Sequence, residues 1–140
     1  MITEMQYVRK MLSLGGYTLV LCDGGRAFTS EDEGILPLWE TVKSGEDWEN
    51  AHAALKTLGK AEALLLLSMK VKGVYAETAA KSALRLLEKN GVQTEFGTCT
   101  AKLLNEEKTG LLPTEAAVAA TDDPAEAVSL LEVILYTKLK

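Results

Sequence analysis

The chain has 140 residues, 47% of them apolar and 25% charged, and a net charge of −5 at neutral pH. That length suits one domain with a real core, and that balance excludes a disordered chain. The acidic charge removes nucleic acid as a default partner, because phosphate binding rests on clustered lysine and arginine.

The N-terminal stretch MITEMQYVRKMLSLGG mixes acidic and basic residues into its apolar pattern and lacks a small-residue cleavage site, so no signal peptide is expected. Thr3-Glu4-Met5-Gln6 reads as a capping box opening a helix with Val8, Met11 and Leu12 on one face, stopped by Gly15-Gly16. Tyr17 to Cys22 is apolar and β-branched enough for a central strand. Asp23-Gly24 then signals a tight turn, with Arg26 to Thr29 returning as the second arm of a hairpin. Pro37 suits the first turn of a short helix near Ile35–Trp39. Lys43 to Asn50 reads as a surface loop whose Trp48 is either a packed anchor or a partner contact.

Ala51 to Leu55 predicts a strand, followed by a sharp turn at Leu55–Lys60. The helix from Ala61 to Leu67 is apolar almost all round and therefore expected to be buried. Val71 to Glu77 predicts a strand, Ala79 to Asn90 an amphipathic helix stopped by Gly91, and Val92, Thr94 and Phe96 the inward positions of a half-buried strand. Strands separated by helices at this spacing imply right-handed crossovers and a parallel sheet segment. Pro113 opens a helix through Ala120, and Asp123-Pro124-Ala125-Glu126 combines an N-cap, a first-turn proline and a capping-box acid to open the last one.

The expectation is a single domain over residues 1–140, with a core of about 3–120 and an additional C-terminal helix over 124–140. No apolar run approaches the roughly 20 residues that cross a bilayer, so no membrane partner is expected. With only Cys22 and Cys99, no disulfide framework is implied. Two free thiols and a cytoplasmic location fit, and Cys22, ending an apolar run, reads as a small buried hydrophobe.

The segment Leu55-Lys56-Thr57-Leu58-Gly59-Lys60 and the helix after it resemble the Pro-Cys-x-x-Cys turn and helix of zinc-dependent cytidine deaminases, without either cysteine. The order helix, hairpin, helix, strand, helix, strand, helix, strand is that of the cytidine-deaminase-like fold. This implies a three-layer α-β-α sandwich with a mixed, about five-stranded sheet. More closely, Gly34-Ile35-Leu36-Pro37-Leu38, Lys56-x-x-Gly59-Lys60-Ala61-x-Ala63, Val71-Lys72-x-Val74-Tyr75-Ala76-Glu77, Leu86-Leu87-Glu88-Lys89-x-Gly91 and Pro113-x-Glu115 resemble a small bacterial family known as domain of unknown function number 1893. The resemblance spans about Met5 to Ala120 and implies a deaminase-like scaffold without its metal site. Two positions depart from the family pattern. Leu55 stands where an acidic residue is usual, and Leu112 where a cysteine is usual.

A zinc deaminase needs three nitrogen or sulfur ligands, a zinc-bound hydroxide and a nearby glutamate. The resemblance places Lys56 and Gly59 at the two cysteine positions. An ammonium has no lone pair for a metal, and glycine has no side chain. Ser30 to Leu38 offers no histidine or cysteine, and His52 precedes the turn by several residues. Neither metal nor cofactor is therefore expected. Gly59-Lys60 also fails as a phosphate loop, since Ala54 and Ala61 stand where glycine and Ser/Thr are required.

Lys56 and Lys60 at a helix N-terminus, on the carboxyl end of a strand, suit a small anionic or nucleotide-like ligand. Thr57, Gly59, Glu77 and Thr78 would complete that site. The competing expectation pairs the lysines with Glu62 and Glu77 or leaves them solvated. Two other classes stay open: an enzyme using Lys56 as base or nucleophile, and an interaction or homo-oligomer module presenting the last helix and the Trp48 loop.

Overall fold

The computed structural model describes residues 2–103 and 110–138. Its elements run α1 (Glu4–Gly15), β1 (Leu19–Cys22), β2 (Ala27–Ser30), α2 (Leu36–Lys43), β3 (His52–Leu58), α3 (Lys60–Ser68), β4 (Gly73–Ala80), α4 (Lys81–Lys89), β5 (Gln93–Thr100), α5 (Pro113–Val118) and α6 (Pro124–Lys138). The strands form one mixed sheet in the order β2-β1-β3-β4-β5. β1 pairs antiparallel with β2 and β3, while β3-β4 and β4-β5 are parallel.

Thr3 opens α1 with the expected capping box: its hydroxyl accepts from Gln6 N at 3.1 Å and Gln6 Oε1 accepts from Thr3 N at 2.9 Å. Met5, Val8 and Leu12 of α1 pack on Val20, Cys22 and Ala54, which alternate on one face of the sheet. The opposite face carries Leu19, Leu21, Ala53, Leu55, Val74 and Ala76, and this larger core takes in α2, α3, α4, α5 and α6. One helix on one face and five on the other make three unequal layers. Close approach of α1 depends on Gly73, where a Cβ would lie 2.7 Å from His52 Cδ2 and 2.9 Å from Met5 Cε.

Several boundaries differ from the sequence expectation. The residues expected to turn after Leu55 are strand: β3 continues through Lys56, Thr57 and Leu58, because β4 supplies partners as far as Leu58↔Ala79. Only Gly59 separates β3 from α3. β4 likewise extends to Ala80, so Ala79 and Ala80 belong to a buried strand and not to the first turn of α4. β5 is an edge strand that is mostly exposed, and Phe96 is 46% exposed where an inward position was expected.

Trp48 is the packed anchor of its two readings, 3% exposed in the main core, with Arg26 stacked 3.9 Å above its ring. Its indole Nε1 is buried without a hydrogen-bond partner. α6 packs against the core through Ala127, Leu131 and Leu135 and leaves Leu130, Val133 and Tyr136 exposed. Cys22 is buried and Cys99 exposed, both as free thiols. Among the described residues no helix is long and apolar enough to cross a membrane.

Candidate functional site

α3 begins without a side-chain cap of its own, because its N-cap is Gly59. The orphan N–H groups expected at such an end are met from α5. Glu115, 6% exposed, accepts from Lys60 N through Oε1 and from Ala61 N through Oε2, both at 2.8 Å. A carboxylate at a helix N-terminus gains from both hydrogen bonds and the helix dipole. Gly59 makes room for it, since a Cβ there would stand 2.6 Å from Glu115 Cδ. An external anion at these N–H groups would have to displace Glu115.

The residues named from sequence are therefore distributed around the start of α3. Lys60 Nζ pairs with Asp122 Oδ1 at 2.9 Å and donates to the Ala119 carbonyl at 3.1 Å. The hydrogen bond and charge of Lys60 hold the Asp122 carboxyl below its ordinary value. Lys56 is exposed, and no ion pair joins it to another described residue. In the alternation of β3 it follows His52 and Ala54, so it leaves the strand on the α1 side. The two lysines thus do not converge. Thr57 is the register partner of Thr78, which places Glu77 and Thr78 on the neighbouring strand.

Beside this junction lies a cleft of about 320 Å³ at the carboxyl end of β3. Leu19, Leu38, Leu55, Leu103 and Leu112 form its apolar walls, and Thr18, Glu33, Lys56, Thr57 and Glu62 also line it. Of the residues expected at the site, Lys56 and Thr57 line the cleft, while Gly59, Lys60, Glu77 and Thr78 do not. Glu62 is 9% exposed on the first turn of α3. Burial, and then the charge of Glu115, push its carboxyl up to about 7. Within reach of it are the backbone N–H groups of Glu62 itself and of Gly59, which oppose that rise. A group that changes charge near neutral pH in a walled cleft is a recognised mark of a functional site.

A second hollow, of about 420 Å³ and more open, lies where α1 meets the β1–β2 hairpin, and Glu4, Cys22 and Arg26 line it. Glu4 Oε1 sits 2.7 Å from His52 Nδ1, and His52 is the register partner of Cys22. This set has the composition of a nucleophile triad but not its arrangement. The Nε2 edge of the His52 ring faces Gly73 on β4, away from the strand that bears Cys22. Burial also raises the Cys22 thiol, opposite to the shift an attacking thiolate needs. Among the described residues no group of three or more His, Cys, Asp or Glu side chains is placed to hold a metal ion.

Glu62 and Glu115 were not picked out as site residues from sequence. Glu62 carries a local signal, as an acid inside the otherwise apolar run Ala61–Leu67. Glu115 does not, because its partners lie 54 and 55 residues away in the chain.

A comparison with curated proteins gave no match. Among solved structures, the chain is similar to a DUF1893 family protein (TM1506) from Thermotoga maritima, with 26% identity and a TM-score of 0.82 over 94% of this chain and 90% of that one. Residues 7–135 match the family model described as Domain of unknown function (DUF1893). On that match the chain belongs to the DUF1893 family.

Proposed function

We propose that this chain is a non-deaminating, deaminase-like domain that binds a small organic molecule, nucleotide-like in combining an apolar body with polar edges, in the cleft between β3, α2 and α3. The observation that carries the reading is the cleft itself: leucine walls around Thr57 and the buried Glu62. Its volume falls in the range of small-molecule sites, about 300–1,000 Å³, and sites of this kind pair apolar walls with few polar groups. Its position at the carboxyl end of a parallel strand is where open α/β sheets bind ligands. Lys60 is engaged by Asp122 and Lys56 leaves β3 on the α1 side, so recognition in the cleft rests on its apolar walls, Thr57 and Glu62. The strand–Gly59–helix junction and the strand order support the deaminase-like scaffold. Lys56 and Gly59, at the two cysteine positions of the deaminase turn, supply no metal ligand, which supports the non-deaminating reading.

The test is ligand-dependent thermal stability. A panel of nucleosides, nucleotides and aromatic carboxylates should include members that raise the melting temperature, because a ligand selective for the folded state stabilises it by mass action. Thr57→Trp fills the cleft from an exposed strand position and should abolish that rise while leaving the unliganded melting temperature nearly unchanged. An unchanged melting temperature across the panel, or an equal rise in Thr57→Trp, overturns the reading.

A further inference from the structure

The ligand of this cleft is constrained further by Glu62, among the described residues the one ionisable group buried in its wall. Glu62 is more than nine-tenths buried and lines the cleft, and the groups within reach of its carboxyl are the backbone N–H groups of Glu62 itself and of Gly59. A carboxylate in that position would sit among leucines with Glu115 beside it. Glu115 is itself fixed in place by the N–H groups of Lys60 and Ala61. Burial in the cleft wall, and then the charge of Glu115, favour a proton on Glu62 over the opposing pull of the backbone N–H groups of Glu62 and Gly59.

Among the described residues, charged groups around the pair do not reverse this. On α3 itself, Lys60 is turned to Asp122 and the Ala119 carbonyl. From β3, Lys56 leaves the strand on the α1 side. From the segment before α2, Glu33 adds a further negative charge to the lining. α5 contributes Glu115.

We infer that Glu62 selects the ligand: as a neutral carboxylic acid it presents an O–H donor beside a carbonyl acceptor, so the cleft takes a planar molecule bearing an amide-type edge, with N–H and C=O side by side. Such an edge satisfies both positions of the acid at once, as two parallel hydrogen bonds in a dry site. A bare anion sets its lone pairs against the acid's carbonyl oxygen, and a hydrocarbon leaves the buried O–H donor unmet, which is costly. The apolar walls then cover the ring that bears the edge. This inference rests on the cleft reading above and names its ligand class.

The carboxyl changes charge near neutrality, which makes the inference testable by pH. If only the protonated form binds, apparent affinity follows the protonated fraction and falls about tenfold between pH 6 and pH 8. The probes are 2-quinolone, which carries the lactam edge on a bicyclic apolar body, and its N-methyl derivative, which lacks the donor. Titration calorimetry should show 2-quinolone binding at pH 6, weakening about tenfold at pH 8, with the N-methyl compound failing to bind. Glu62→Gln, which keeps a donor and an acceptor and cannot ionise, should bind 2-quinolone with no pH dependence. Glu62→Leu should not bind it.

If 2-quinolone binds equally at both pH values, or binds Glu62→Leu as well as wild type, the role of Glu62 is overturned while the cleft stands. If nucleotides or carboxylates raise the melting temperature through Thr57 but 2-quinolone does not bind, the amide class is overturned alone. If neither probe set binds, the cleft reading and the inference fall together.

Discussion

At the scale of single residues, Glu62 couples the cleft to stability as well as to a ligand. Its ordinary carboxyl value is 4.5, and burial followed by the charge of Glu115 raises it to about 7 in the folded chain. A raised folded value means that the folded state holds the proton more tightly than the unfolded state. The resulting stabilisation is fully present below about 4.5 and declines as pH rises, until it is lost above about 7. A shift of that size corresponds to at most about 3 kcal/mol between the two limits. Glu62→Gln should therefore remove a pH-dependent component. It should match wild type near pH 4 and exceed it at pH 8, read from urea midpoints at the two pH values. A wild-type and variant difference that stays constant with pH would show that Glu62 ionises in the folded chain as it does in the unfolded one.

At the scale of elements, the junction of β3, α3 and α5 shows what a sequence reading can and cannot reach. The capping box of α1, the hairpin, the proline-led α2 and the buried α3 all rest on neighbours within one turn or one strand alternation, and all were legible. The extension of β3 through Lys56–Leu58 was not, because it is fixed by pairing with β4, whose partner residues lie 21 positions on. The site was legible only in part. Lys56 and Thr57 do line the cleft, yet the anion that the start of α3 invites is supplied by the chain itself, from α5.

That internal cap also gives Gly59 a purpose beyond backbone freedom. Its φ of −100° and ψ of 177° are open to any residue, so alanine there brings no backbone strain. What it brings is a methyl group 2.6 Å from the Glu115 carboxyl. Gly59→Ala should destabilise by about 1–3 kcal/mol through overpacking. Glu115→Ala should lose about 1–2 kcal/mol, as a lost cap does. The double variant should lose distinctly less than the sum, because the alanine at 59 then meets no carboxyl. Additive losses in equilibrium urea unfolding would mean that the two residues do not share this contact.

At the scale of the whole molecule, the layers are unequal and α6 closes the thicker one. The sequence suggests an added helix beyond a core ending near residue 120, but the matched family region runs through residue 135. Ala127, Leu131 and Leu135 are at most 1% exposed, and they belong to the same core as Leu64, Leu65 and Leu66 of α3. Burying two leucines is worth about 1.5–3 kcal/mol each, so α6 holds roughly 3–6 kcal/mol before its loss of chain entropy is counted. Domains of this size have net stabilities of about 5–15 kcal/mol, so removing α6 takes away a large share of the whole. It also uncovers α3, whose apolar surface extends almost all round. A chain ending after Asp122 keeps Lys60's partner, so its behaviour isolates the packing role of α6. That chain should lose its cooperative thermal transition, bind a hydrophobic dye and aggregate. Leu131→Ala with Leu135→Ala in the full chain should lower stability by about 4–8 kcal/mol, from a typical 2–5 each and allowing for partial relaxation. A truncated chain that unfolds cooperatively within a few degrees of the full one would establish α6 as an appendage, and the core would then end with α5.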